Sequence, residues 1–162
     1  MVVDMAQVNT LTGVVVGIAA ATTTMSACIL GPLSDRIGPR RVVFVSVMFT
    51  ALMYIPQAFV QHAWQLVLLQ ALVGVGLGGV WPSISALLAR FCKPGEEGAV
   101  FGLDTAINAA ARTVAPPIGS GLALVFGLRS AFLAAGGLYL AAGLFITPQL
   151  PAAELDPETL VD

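Results

Sequence analysis

Five apolar runs, each near the length that crosses a bilayer, follow one another with only short polar breaks between them. A membrane-crossing helix needs about 20 mostly apolar residues. In hydrocarbon the backbone must satisfy its own N–H and C=O groups, and a helix does that within one segment. The runs predict helices at about 10–31, 40–60, 64–90, 98–126 and 129–148, making 1–148 a membrane domain. Gly31-Pro32 and Gly38-Pro39 punctuate the first link, Gln61-His62 the second, Lys93 to Gly98 the third and Gly127-Leu128-Arg129 the fourth. Residues 149–162 form a short acidic tail with Glu154, Asp156 and Glu158.

Composition removes most other readings. Hydrophobic residues make up 57% of the 162 and charged ones 10%, against about 45–50% and 25% in soluble domains. A soluble helix keeps a polar face, and the second and fifth runs have almost none. The net charge of −2 leaves no basic footprint for nucleic acid. Cys28 and Cys92 make no disulfide framework, and with the single His62 they offer no metal site. No nucleophile–base pair appears, so an enzyme is not expected, and no cofactor is implied. The first ten residues hold no Lys or Arg, unlike a signal peptide.

Basic residues set the expected orientation. Arg36, Arg40 and Arg41 stand in the first link, and Arg90 and Lys93 in the third. The second and fourth links together hold only Arg129. The first and third links therefore face the cytoplasm of a cell-membrane protein, with the N-terminus outside and the acidic tail inside.

The first link reads Gly31-Pro32-Leu33-Ser34-Asp35-Arg36-Ile37-Gly38-Pro39-Arg40-Arg41. A Gly-x-Leu-x-Asp-Arg-x-Gly-x-Arg-Arg string between two membrane helices resembles the cytoplasmic signature loop of the major facilitator superfamily. Its site residues here are Gly31, Asp35, Arg36, Gly38, Arg40 and Arg41. Pro39 stands where that family usually has a basic residue. Gln70 to Gly76 is similar to the family's Arg-x-x-x-Gly-x-Gly helix, with Gln70 in place of an Arg that in the family's first half is tied to proton coupling, which implies a second-half helix or lost coupling. Ala111 to Ser120 resembles a softened Gly-x-x-x-Gly-Pro-x-x-Gly-Gly signature of antiporters, alanines replacing both leading glycines.

The resemblance implies an all-α polytopic membrane protein: five transmembrane helices of a major-facilitator-type six-helix half bundle. Five helices with an outside N-terminus fit the eighth to twelfth helices, and the second to sixth are the alternative. The implied function is proton-coupled efflux of drugs or other small molecules by alternating access, energised by a proton gradient. The missing half of the transporter would be supplied in cis or in trans. A non-transporting relic, one subunit of a split transporter, or a metabolite or sugar transporter of the same superfamily are the other readings.

Polar residues mark the expected cavity side. Asp104, Asn108 and Arg112 recur every fourth residue and so form one stripe of their helix. A charge inside the bilayer is costly and its default reading is functional, although Asp104 also fits a snorkelling role near the helix end. With Gln70 these are the cavity or coupling candidates. Gly74 and Gly78 suggest close helix packing, and Pro82, Pro116 and Gly119 suggest packing or hinge positions. Gly74 to Gly79 also matches a dinucleotide fingerprint, but it follows no strand and lies in an apolar run. Across the cytoplasmic face, Arg36 or Arg41 is expected close to Glu96 or Glu97.

Overall fold

The computed structural model describes residues 5–146, 149 and 150. Almost all of the expected tail lies outside the described residues. Five α-helices follow in order: α1 (Met5–Ile37), α2 (Pro39–Gln57), α3 (Ala63–Phe91), α4 (Glu97–Phe126) and α5 (Leu128–Ala141). A π-helical turn, Ala142–Ile146, continues α5. By length and apolar content α1, α3, α4 and the continued α5 can each cross a membrane. The shorter α2 has 19 residues and begins Pro39-Arg40-Arg41. At 1.5 Å per residue it spans about 28 Å, close to a bilayer's hydrocarbon thickness.

Two expected boundaries are corrected. The chain does not break at Gly31-Pro32, and α1 continues through Pro32 to Ile37. Proline in a helix removes one backbone hydrogen bond. Packing compensates on both sides of it. A Cβ on Gly31 would sit 3.8 Å from the Pro82 Cβ of α3, and the Ser83 hydroxyl donates to the Ser34 hydroxyl at 2.8 Å, both residues being buried. The link between α1 and α2 is therefore the single residue Gly38. Its φ of 100° is a conformation that side chains with a Cβ rarely adopt. The Gly38 N–H donates to the Ser34 carbonyl at 3.0 Å, and Pro39 starts α2 where a missing N–H costs nothing. The second correction is the end of α2 at Gln57, three residues short of the expected 60, in a turn at Ala58 to Val60.

Helix α3 is the centre of the bundle, and glycine makes it so. Gly74 and Gly78 lie against α1, where added Cβ atoms would meet the Ala19 and Thr23 carbonyls at 2.5 Å. Gly76 and Gly79 lie against α2, facing Thr50 and Ser46. Small residues let two backbones approach closely, which is how membrane helices gain packing without a hydrophobic driving force. The partners also fix direction. Ser26 pairs with Val75 and Ser34 with Ser83, both 49 apart in sequence, so α1 and α3 run parallel. Helix α2 runs antiparallel to α3, because Thr50 meets Gly76 and Ser46 meets Gly79. It is antiparallel to α5 too, with Tyr54 beside Gly136 and Met48 beside Gly143. Tyr54 and Tyr139 stack at 5.6 Å between centroids.

Helix α4 stands apart from this order. None of its residues is buried. It joins α5 through Gly127, whose φ is 87°, and its Arg112 guanidinium lies over the Trp81 ring of α3, 5.8 Å from the centroid.

Candidate functional site

The polar groups collect in two places. The first is the end of the bundle where α1 turns into α2 and α3 into α4. Asp35 and Arg36 occupy the last turn of α1, both exposed, while Arg40 and Arg41 open α2. Arg36 there favours the helix dipole and Asp35 opposes it. Among the described residues Asp35 accepts no hydrogen bond and meets no cation. The expected contact across this face is also corrected. Among the described residues neither Arg36 nor Arg41 pairs with Glu96 or Glu97, and Glu97 instead accepts from the Gly95 N–H at 2.9 Å. The local turn wins because Gly95, with φ of 92°, folds its own N–H back toward the carboxylate. Cys92 closes the end of α3 beside this turn. Partial burial raises its thiol pKa above the ordinary value, and the Glu97 and Glu96 charges add to the shift.

The second place is the length of α4. The Asn108 amide donates to both the Asp104 carbonyl at 2.9 Å and its carboxylate at 3.1 Å. Arg112 does not join that pair. It lies two turns further on, about 12 Å along the helix from Asp104, and takes the Trp81 face instead. A cation over an aromatic ring is worth about 0.5–2 kcal/mol, more as water is excluded. The α4 stripe thus carries an acid–amide pair at one level and a cation–aromatic pair at another.

The remaining candidates divide by role. Gln70, one turn before Gly74, is half-buried and makes no side-chain hydrogen bond among the described residues. Pro82 lies within α3, beside Gly31. Pro116 and Pro117 are exposed inside α4 and leave the Arg112 and Thr113 carbonyls without helical donors. Gly119 has open space where a Cβ would stand, so it mediates no contact here. The sequence reading passed over three features: the Ser34–Ser83 bond, the Trp81 partner of Arg112, and Gln57. Gln57 is buried with neither end of its amide partnered among the described residues. Only its position at the end of an apolar run could have flagged it.

Comparison with known proteins adds an independent line. Residues 4–160 match the sequence profile of the Major Facilitator Superfamily. The chain is 28% identical over 137 residues to the "Multidrug resistance protein MdtG" of Salmonella typhimurium, covering 85% of this chain and 34% of that protein. It is 31% identical over 146 residues to the protein of the same name from Klebsiella pneumoniae, covering 89% and 35%. The chain spans about a third of the length of these curated relatives.

Proposed function

The chain belongs to the Major Facilitator Superfamily, and on that premise we propose that α1, α3 and α4 form one wall of an alternating-access pathway for small molecules. The family is one of membrane transporters, not enzymes. The observation that carries the proposal is the α4 stripe. Asp104, Asn108 and Arg112 lie on a membrane-length helix with no buried residue. Ionised groups at membrane depth need water or protein around them. A solute pathway between this wall and a second helical body supplies both.

In this reading the helices correspond to the eighth to twelfth of the superfamily. The end bearing Arg36, Arg40, Arg41, Arg90 and Lys93 faces the cytoplasm, and the N-terminus lies outside. Asp35, without a partner among the described residues, is a carboxylate offered to the opposing body, forming and releasing a cytoplasmic latch as the two bodies rock. The similarity to multidrug resistance proteins supports drugs as the solutes. The softened antiporter signature at Ala111 to Ser120 supports exchange against protons, with Asp104 as the proton-carrying candidate.

Dye efflux from vesicles under an imposed proton gradient tests this reading. The present chain is compared with a version extended upstream by helices of its relatives. Efflux by the extended version that disappears in Asp104→Asn is expected. Efflux that survives Asp104→Asn unchanged removes Asp104 from coupling. Absence of gradient-driven efflux from both versions, with correct insertion, contradicts drug–proton antiport and favours a metabolite or sugar as solute. Efflux by the present chain alone contradicts the need for a second body of different sequence.

A further inference from the structure

An apolar cavity of about 560 Å³ lies between α2, α3 and α5, toward the end of the bundle that carries the α1–α2 and α3–α4 links. Its volume is in the range of pockets that hold small ligands, about 300–1,000 Å³. Val43 and Val47 of α2, Leu87 of α3 and Tyr139 of α5 line it, with Val100 of α4 and Leu150 beyond α5, and Cys92 joins them from the α3–α4 link. None of the α4 stripe and none of the signature residues is part of its wall. It is a different place from the proposed pathway.

Charge gathers at one end of this cavity. Arg90 stands exposed in the last turn of α3, and Lys93 follows Cys92 directly. Glu96 and Glu97 are the carboxylates of the same link, and Glu97 is already engaged by the Gly95 N–H. A lipid tail gains little by leaving the bilayer for an equally apolar wall. Any preference among lipids must therefore come from the headgroup, and basic groups between membrane helices select anionic ones.

We propose that this cavity takes one acyl chain of an anionic phospholipid, whose phosphate is held between Arg90 and Lys93. The site requires that these helices span a bilayer, and it stands or falls independently of transport activity.

Cys92 is the built-in reporter, because an acyl chain in the cavity shields its thiol. The Cys28→Ser chain is placed in discs of phosphatidylcholine alone or of phosphatidylcholine with phosphatidylglycerol, and its alkylation by N-ethylmaleimide is timed. A second chain carrying Cys28→Ser, Cys92→Ser and Ile37→Cys reports the general effect of a charged membrane on a thiol at the same end. Relative to that reference, Cys92 is expected to react about fivefold slower in the anionic discs, the effect of roughly one cation's attraction to an anionic surface. Arg90→Ala with Lys93→Ala restores the rate. Native mass spectrometry of the unreacted Cys28→Ser chain is expected to retain phosphatidylglycerol mass that the double variant loses. Equal protection in both kinds of disc, or protection that survives the double variant, overturns the proposal and assigns the cavity to neutral tails or to the chain's own segments.

Discussion

Gly78 shows how much of this bundle depends on single atoms. A Cβ there would stand 2.5 Å from the Thr23 carbonyl and 2.7 Å from the Ser26 Cβ. Both neighbours belong to a helix that cannot shift without breaking the Ser26 to Val75 bond at 2.7 Å. Gly78→Ala is expected to destabilise by about 1–3 kcal/mol, the usual effect of overpacking, and to lower the midpoint of thermal unfolding in detergent. Gly119→Ala, with open space around it, is expected to leave that midpoint within a degree or so. Gln57 predicts the opposite sign. Its amide is buried without a partner among the described residues, so Gln57→Leu removes a desolvation penalty of about 1–3 kcal/mol and should hold or raise the midpoint. A clear fall would mean that the amide has a partner. Cys92 gives a pH prediction. Its raised pKa means less thiolate at any given pH, so in detergent its alkylation should lag a free cysteine and catch up only above the ordinary thiol range near pH 8.5. Glu96→Gln with Glu97→Gln lowers the pKa and should speed the reaction at fixed pH.

At the scale of elements, the segment with the signature motif is better described as a helix end and a one-residue turn. Gly31 and Gly38 look alike in the motif and behave differently in the fold. Gly38→Ala forces a Cβ into a φ of 100° and is expected to cost about 1–2 kcal/mol with no steric clash. Gly31→Ala meets only an ordinary contact at 3.8 Å and should be nearly neutral in the same unfolding measurement. The contrast also shows what the sequence could reveal. Five helices were legible because apolar length is a local property. The end of α1 was not, because whether Pro32 breaks a helix depends on what packs beside it. Here Pro82 and Ser83 pack beside it from about 50 residues further along the chain. In the same way, spacing placed Asp104, Asn108 and Arg112 on one stripe. It could not say that Arg112 would leave that stripe's acid for the Trp81 ring, which depends on the distance between α3 and α4.

The whole molecule has one closely packed part and one uncovered part. Helices α1, α2, α3 and α5 are stitched through glycines and serines, while α4 buries nothing. The charged stripe lies on the side of α4 turned toward α3, with Asp104 and Asn108 half-buried and Arg112 over Trp81, while the most exposed positions of the helix are apolar; this joins the fold to the proposed function. Cysteines introduced one at a time along α4, in a chain lacking Cys28 and Cys92 and extended to its relatives' length, test that link most directly. Each is reacted with a water-soluble maleimide in native membranes. Positions 104, 108 and 112 are expected to react readily and to be protected by transported dye. Positions 107, 114 and 118 on the apolar sides are expected to stay silent. A uniform pattern along α4, with the stripe no more reactive than Ile107 or Ile118, would contradict an aqueous pathway on this helix and with it the transport reading of the chain.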